Sequence, residues 1–132
     1  MKRVWKGLAV AVVAGVICLV VAWMTAVTIA LNPACKSIIL SEQKSPNEDF
    51  VFWVFRRDCG ATTAYAYGLS IRRAGDEFDP EARDEVFIME GDVSAMASWV
   101  DVDRIQVDIP KGAEIFRSEQ EWEGVTISYV AD

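Results

Sequence analysis

The stretch FRRDCGATTAY holds the residues of this chain whose types and spacing could support chemistry. Cys59 follows the acid Asp58, and two hydroxyl-bearing residues, Thr62 and Thr63, come shortly after Gly60. A cysteine nucleophile acts as the thiolate, which a nearby base or a helix amino terminus favours. The carboxylate of Asp58 disfavours a thiolate beside it, because like charges repel. The segment therefore admits two interpretations, a reactive thiol and one half of a disulfide.

The cysteine and histidine content favours the disulfide. The chain has no histidine, which excludes serine and cysteine triads in their usual form and removes the commonest metal ligand. Of the three cysteines, Cys18 lies inside a long apolar run, so Cys35 and Cys59 are left as a pair. An even pair in an oxidising compartment predicts a disulfide. Closing that loop would stabilise the fold by roughly 3 kcal/mol in the chain-entropy model.

Five residues around Cys59 form a candidate ligand-binding or turn-bracing group. Glycine permits a tight turn, and short polar side chains next to it bind backbone groups. We interpret the group as turn bracing and keep a ligand site as the alternative, and we predict no catalytic residue and no cofactor. The group consists of Asp58, Gly60, Thr62, Thr63 and Tyr65.

Two further sets of carboxylates are candidates for metal or hydrolytic sites. One set lies close together in the sequence and could gather calcium through oxygen ligands. It lacks the twelve-residue loop with a central glycine, so we predict a solvated acidic loop and no metal. Asp101 and Asp103, two residues apart, share a strand face or frame a turn and are a weak signal for hydrolysis. The larger set is Asp76, Glu77, Asp79, Glu81, Asp84 and Glu85.

The charge of the chain argues against nucleic acid as a partner. All twenty acidic residues but only ten of the thirteen basic ones follow position 35, so that part carries a net charge of −10. Binding to phosphates depends on clustered lysine and arginine. The pairs Arg56/Arg57 and Arg72/Arg73 are the only local concentrations, and neighbouring strand residues point to opposite faces. We predict that these arginines are solvated or salt-bridged.

An uncharged apolar run covers residues 7–31. As a helix it would measure roughly 37 Å, enough to cross a hydrocarbon core about 30 Å thick. Three basic residues precede the run and Lys36 closely follows it. The positive-inside rule then places residues 1–6 in the cytoplasm and residues 32–132 outside, so the sequence predicts an inner-membrane protein with one anchor.

Three alternatives for this run stay open. A cleaved signal peptide shares the basic start, although its apolar core is usually no longer than about 15 residues. A lipoprotein signal would place a small-residue motif before Cys35, where the chain has Asn32, Pro33 and Ala34. Small residues at four-residue spacing would let two helices pair, although an Ala/Val-rich span explains them as well. They are Gly7, Ala11 and Gly15, and Ala22, Ala26 and Ala30.

The remainder of the chain shows strand patterns separated by turn signals. About seven short strands predict an all-β fold, a small antiparallel sandwich or barrel-like sheet. In FVFWVF both alternating sets of residues are large and apolar, which predicts cover on both faces. SEQKSPNEDF reads as a polar turn, while the acidic loop and SEQEWEG weakly indicate helix. The strand segments are KSIIL, FVFWVF, residues 63–71, EVFIM, RIQVDI, AEIF and VTISYV, and SAMASWV is a weaker candidate for one more.

Residues 63–71 have one bulky and one flat face. The bulky face consists of Tyr65, Tyr67, Leu69 and Ile71, and the flat face consists of Ala64, Ala66, Gly68 and Ser70. Such a flat face allows close packing of another layer or leaves a shallow groove, and packing is the commoner reason. In RIQVDI, by contrast, the alternation predicts Ile105 inward and Gln106 outward.

The order of these features resembles a family of small bacterial membrane-anchored or lipid-anchored proteins, a domain of unknown function. Its members are similar in a cysteine after the apolar segment, a Ser-Pro turn, an aromatic strand ending in RDCGATT and a later tryptophan before a hairpin. The resemblance covers residues 35–130, departs from the family in having SPNED where a glycine-containing turn is expected, and implies no activity. The matching residues are Cys35, Ser45 and Pro46, residues 57–63, and Trp99 ahead of residues 101–109.

Together these features favour a non-enzymatic protein of the cell envelope. Its outward β domain would bind another envelope protein or envelope component. The alternative is a small envelope hydrolase or redox protein that uses Asp58 and Cys59.

Overall fold

The computed structural model describes residues 1–31, 35–60 and 63–131 and divides the chain into two compact units, Met1–Ala34 and Cys35–Asp132. The first unit is helix α1 (Lys2–Leu31), which begins five residues before the uncharged run. Within Lys2–Ala30, a window of 18 residues reaches a mean hydropathy of 2.6, so the helix is long and apolar enough to cross a membrane. A signal sequence at the amino terminus meets the same criterion.

The two threonines of helix α1 bond within the helix. The hydroxyl of Thr25 donates to the carbonyl of Ala22, and that of Thr28 donates to the carbonyls of Met24 and Thr25 at 3.1 and 2.9 Å. Hydrocarbon offers no hydrogen-bond partners, so a membrane-spanning helix must bond its polar groups internally. These threonines are therefore compatible with an apolar environment.

The described part of the second unit forms nine strands, which confirms the all-β prediction. It is built as a five-stranded sheet of order β1-β2-β3-β4-β7 and a four-stranded sheet of order β5-β6-β9-β8. The strands are β1 (Lys36–Lys44), β2 (Phe50–Asp58), β3 (Ala66–Arg73), β4 (Phe87–Glu90), β5 (Met96–Asp101), β6 (Arg104–Ile109), β7 (Glu114–Ser118), β8 (Glu121–Trp122) and β9 (Val125–Ala131).

The described ladders are antiparallel except one. Strands β6 and β9 pair in parallel, with Ile105 opposite Ile127. The weak helical interpretations were wrong: SEQEWEG contains β8, which pairs with β9, and residues 74–86 form turns. The tight Glu123–Gly124 turn, with both residues at positive φ, favours a hairpin there over a helix.

The core lies between the two sheets and confirms the alternation in RIQVDI. Ile105, Val107 and Ile109 are buried, and they pack with Phe52, Val54 and other apolar side chains of the five-stranded sheet. Two aromatic pairs add to this packing, Phe52 with Trp99 and Phe50 with Trp122. The remaining core side chains are Tyr67, Leu69, Ile71, Val86, Phe87, Met89, Ala95, Val125 and Ile127.

The outer face of the five-stranded sheet is also covered, as FVFWVF predicted. Val51, Trp53 and Phe55 are at most 3% exposed, although they point away from the core. The connection between β3 and β4, residues 74–86 and called here the acidic connection, crosses this face. Its Phe78 packs against Trp53 and Phe55, with ring centroids 5.9 and 4.9 Å apart. One aromatic residue in a loop thus provides the second layer.

The flat face of residues 63–71 is used for packing. Gly68 lies directly opposite Phe55 across the β2–β3 ladder, and the Phe55 ring covers it. A Cβ at Gly68 would lie 2.9 Å from Cε1 of that ring and closer still to Cζ. The absence of a side chain at this position therefore lets the ring lie flat on the sheet.

The SPNED turn joins β1 to β2 and is shorter than the sequence suggested, because β1 continues to Lys44. Buried Ser45 accepts a hydrogen bond from the backbone N–H of Phe50 and donates one to Oδ1 of Asn47. Glu48 adopts a φ of 60°, a left-handed conformation usual for glycine. The side-chain hydrogen bonds of the turn thus hold a conformation for which the resemblance leads one to expect glycine.

Candidate functional site

The predicted disulfide is present between Cys35 and Cys59. The β1–β2 register pairs Lys36 with Asp58, so the two cysteines follow directly at the open end of this hairpin. Cys59 is therefore not a free thiol, which removes the nucleophile that the alternative interpretation of RDCGATT requires. Of the three cysteines, Cys18 is the free one.

Hydrogen bonds within the RDCGATT segment are those of a braced turn. The carboxylate of Asp58 accepts from the backbone N–H of Gly60 at 3.0 Å, and Gly60 has a φ of 124°. Both the backbone N–H and the hydroxyl of Thr63 donate to the carbonyl of Gly60. Thr62 lies outside the described residues.

Tyr65 lies at the end of this segment and is 40% exposed. The guanidinium of Arg56 stacks over its ring, 4.4 Å from the centroid. This contact is a cation–π interaction, which at an exposed site is worth about 0.5–1 kcal/mol. Tyr65 thus contacts Arg56, while Asp58, Gly60 and Thr63 bond to one another.

Two arginines of the sheet, Arg57 and Arg72, form ion pairs with the acidic connection, and Arg73 pairs with Glu123, as predicted for these three. Arg56 instead stacks on Tyr65, and its Nε is buried without a hydrogen-bond partner among the described residues. Glu85, with a side chain 5% exposed, lies 2.7 Å from Arg57, and Asp84 lies 2.8 Å from Arg72. Arg57 also donates to the carbonyl of Pro80 at 2.9 Å. Among the described residues, no group of three or more potential ligand side chains is placed to hold a metal ion.

Asp101 and Asp103 frame the turn between β5 and β6. The carboxylate of Asp101 accepts a hydrogen bond from the backbone N–H of Val102 and lies 3.2 Å from Arg104. These two interactions, the backbone hydrogen bond first, lower the pKa of Asp101. A carboxylate that is ionised and bonded to its own turn has a local structural role.

A groove that the sequence did not indicate lies between β1 and β5, the edge strands of the two sheets. It has a volume of about 410 Å³, and the indole N–H of Trp99 joins its two sides by donating to the carbonyl of Gln43 at 3.2 Å. Val54 of the core contributes to the lining. The other lining residues are Leu40, Ser41 and Gln43 of β1, and Ser94, Ala95, Met96 and Ala97.

Exposed apolar residues flank this groove. Leu40 is 45% exposed and Met96 is 73% exposed, and Ile38 and Ile39 follow the same edge strand with comparable exposure. The irregularity in the β1–β2 register between Ile39 and Ser41 leaves Leu40 without a partner on β2. The only sequence signal for this surface was the run of three apolar residues in KSIIL, which alone is typical of a buried strand.

A second cleft, of about 310 Å³, is polar, and some of its charged side chains are already paired with one another. It lies near Trp122, where Arg72 and Arg73 are paired with Asp84 and Glu123. Paired charges leave less electrostatic attraction for a ligand than free ones. The groove between β1 and β5 is therefore the stronger candidate for a binding site.

Comparisons with protein-family models, with curated proteins and with solved structures found no match to this chain. The similarity to the bacterial family with an RDCGATT segment therefore stays a prediction.

Proposed function

We propose that this chain is a single-pass protein of the bacterial cell envelope whose outward, disulfide-stapled β domain binds an extended segment of another envelope protein. Helix α1 anchors the chain in the inner membrane with the amino terminus in the cytoplasm. The domain belongs to the small anchored proteins that share RDCGATT. It acts as an accessory or binding module, without catalysis of its own.

The groove between β1 and β5 is the observation that carries this proposal. Each of its two sides is an edge strand, and an edge strand presents backbone N–H and C=O groups that no neighbouring strand occupies. Proteins that bind extended peptides add the peptide to such an edge and seat alternate side chains in adjacent pockets. The exposed Leu40 and Met96 supply apolar contacts for such side chains.

The charge of the domain restricts the partner segment. Residues 36–132 carry a net charge of −10, so an acidic segment would be repelled. We expect a neutral or basic segment with at least one apolar side chain that enters the groove beside Val54. The partner is thus a polypeptide with an exposed strand-forming stretch.

Anchoring by helix α1 is supported by the sequence around it. The helix has three basic residues at its amino-terminal end, Lys2, Arg3 and Lys6, and no acidic ones. The positive-inside rule associates this arrangement with a cytoplasmic amino terminus. A disulfide in the following domain is also typical of a compartment outside the cytosol.

Site-specific photocrosslinking in intact cells tests the binding surface. A benzophenone amino acid placed at Leu40 or at Met96 should give one and the same crosslinked species, because the two positions flank the groove. The matched control is Phe116 of β7, which is 60% exposed on the other edge of the five-stranded sheet. A species obtained equally from Phe116, or none from the groove positions, contradicts the proposed surface.

The anchoring is tested separately in sealed spheroplasts. Added protease should trim the β domain while residues 1–6 remain protected. A chain that resists the protease until the membrane is lysed has its β domain inside and overturns the proposed topology.

A further inference from the structure

Strand β1 is attached to the domain without burying side chains in the core. Only Ser37 and Ser41 are half-buried, its other residues are exposed, and no core residue belongs to β1. Strand β2, its partner, is buried from Val51 to Phe55. Segments with few buried apolar contacts and exposed backbone hydrogen bonds open locally at low free energy.

The two ends of β1 are held in different ways. At the turn end, the backbone N–H of Ser45 donates to the carbonyl of Phe50, and the hydroxyl of Ser45 accepts from the N–H of Phe50. The indole of Trp99 also donates to the carbonyl of Gln43. At the open end, beyond the ladder hydrogen bonds, the fastening is the Cys35–Cys59 disulfide. The disulfide thus attaches the open end of β1 to the domain, where no buried side chain of β1 does so.

The disulfide is accessible from solvent. Cys35 is exposed and Cys59 is half-buried, and both flank the hairpin's open end instead of the core. Exposed disulfides can be attacked by thiolates, whereas buried ones are protected by the structure around them. Cys35, the more exposed of the two residues, is therefore the expected point of attack.

We propose that the Cys35–Cys59 disulfide is a reducible latch that controls whether β1 stays on the sheet. The reductant is a protein dithiol. Its thiolate bonds to Sγ of Cys35 while the Cys35–Cys59 bond breaks, and Cys59 leaves as a thiolate. The second thiol of the reductant then displaces Cys35. Both cysteines end as thiols, protonated by the two protons that the reductant gives up, and the reductant ends as a disulfide.

This latch regulates the groove described above, and that consequence rests on the proposed function. Leu40, Ser41 and Gln43 of β1 form one side of the groove. When the open end of β1 leaves the sheet, this side loses its shape and the edge of β2 becomes accessible. The oxidised chain is therefore the binding-competent form.

Hydrogen exchange of the purified full-length chain in detergent micelles tests the latch without any partner. The chain carries Cys18→Ala, so that Cys35 and Cys59 are the only thiols counted. Exchange is measured before and after treatment with dithiothreitol, with alkylation of an aliquot to verify two free thiols. Amides of residues 36–39, at the open end of β1, should lose most of their protection on reduction, while those of residues 42–44 near the turn and those of β6 keep theirs, and reoxidation should restore the first state.

Three results would overturn the latch. Unchanged protection of β1 in the reduced chain shows that the ladder alone holds the strand. If the amides of β6 also lose protection, the disulfide stabilises the whole domain and does not control β1 alone. A disulfide that dithiothreitol leaves intact in the folded chain is not reducible.

A Cys35→Ser, Cys59→Ser variant should match the reduced chain. Crosslinking from Leu40 is scored separately in oxidised cells, so either proposal can fail without the other.

Discussion

At the scale of single residues, Gly68 illustrates how an absent side chain determines packing. It lies in β3 opposite Phe55, whose ring fills the space above it. The outer face of the sheet can then hold Phe55 and Phe78 in contact. A shallow groove, the other interpretation of this flat face, is excluded because the ring occupies it.

We expect Gly68→Ala to destabilise the domain by about 1–3 kcal/mol, because the new Cβ overlaps the Phe55 ring and forces it to move. Urea unfolding followed by tryptophan fluorescence measures the change. Gly91→Ala is the matched control, since a Cβ there would meet nothing closer than 3.8 Å. In a Phe55→Leu background the penalty should shrink, and an equal penalty in both backgrounds would disprove the overlap.

Residue patterns predicted the disulfide but neither the partners of the arginines nor the residue that covers β2. The need for cover was visible in FVFWVF, since both of its faces are apolar. Phe78 could not be identified, because it is one aromatic residue in an acidic stretch without periodicity. Its role depends on the path of residues 74–86 across the sheet, which a local pattern does not encode.

At the scale of elements, the acidic connection acts as a second layer on the five-stranded sheet. The ion pairs Arg57–Glu85 and Arg72–Asp84 lie at its carboxyl-terminal part, and Phe78 packs near its centre. The partly exposed pair Arg72–Asp84 contributes up to about 1 kcal/mol. The pair Arg57–Glu85 is largely buried, so loss of either partner would leave the other charge uncompensated. The carboxylates that suggested a cation site serve in part to hold this loop.

Phe78→Ala should therefore destabilise the domain by about 2 kcal/mol, less than a fully buried phenylalanine because Phe78 is half-buried. The fluorescence of Trp53 should also shift to longer wavelength as water reaches its ring. Phe116→Ala makes the same chemical change at a residue 60% exposed and should cost less than about 0.5 kcal/mol. If the two variants were equally stable, Phe78 would not be the residue that covers the outer face of the five-stranded sheet.

Strand existence was easier to predict than strand pairing. Alternation in RIQVDI identified the inward residues of β6, because a period of two directly reports one buried face. The parallel pairing of β6 with β9 was not predictable, since it joins segments separated by β7 and β8. The two-residue β8 is too short to show any period.

At the scale of the whole molecule, the candidate site arises from the arrangement of two sheets. The groove forms where edge strands β1 and β5 approach, and its residues are distant in the sequence, as Leu40 and Met96 are. Sequence reasoning instead selected the segment around Cys59, where unusual residue types are adjacent. Residues that are adjacent in the sequence allow turns to be predicted. A surface formed between two sheets can be located only when the order of the strands in those sheets is known.

The core of the second unit is self-contained, which leads to a prediction about the chain as a whole. In the part of the chain that the structure describes, the buried apolar side chains fall between Val51 and Ile127, and helix α1 contributes none of them. Residues 35–132, produced in an oxidising compartment, should therefore fold alone and unfold cooperatively, with a thermal midpoint within a few degrees of the full-length chain. Circular dichroism in the far ultraviolet measures the cooperativity and the midpoint.

Ile105→Asp, which places a carboxylate in the core, should abolish the transition, whereas Val100→Asp at a 54% exposed position should retain it. A non-cooperative, dye-binding 35–132 chain would mean that folding of the β domain depends on residues 1–34.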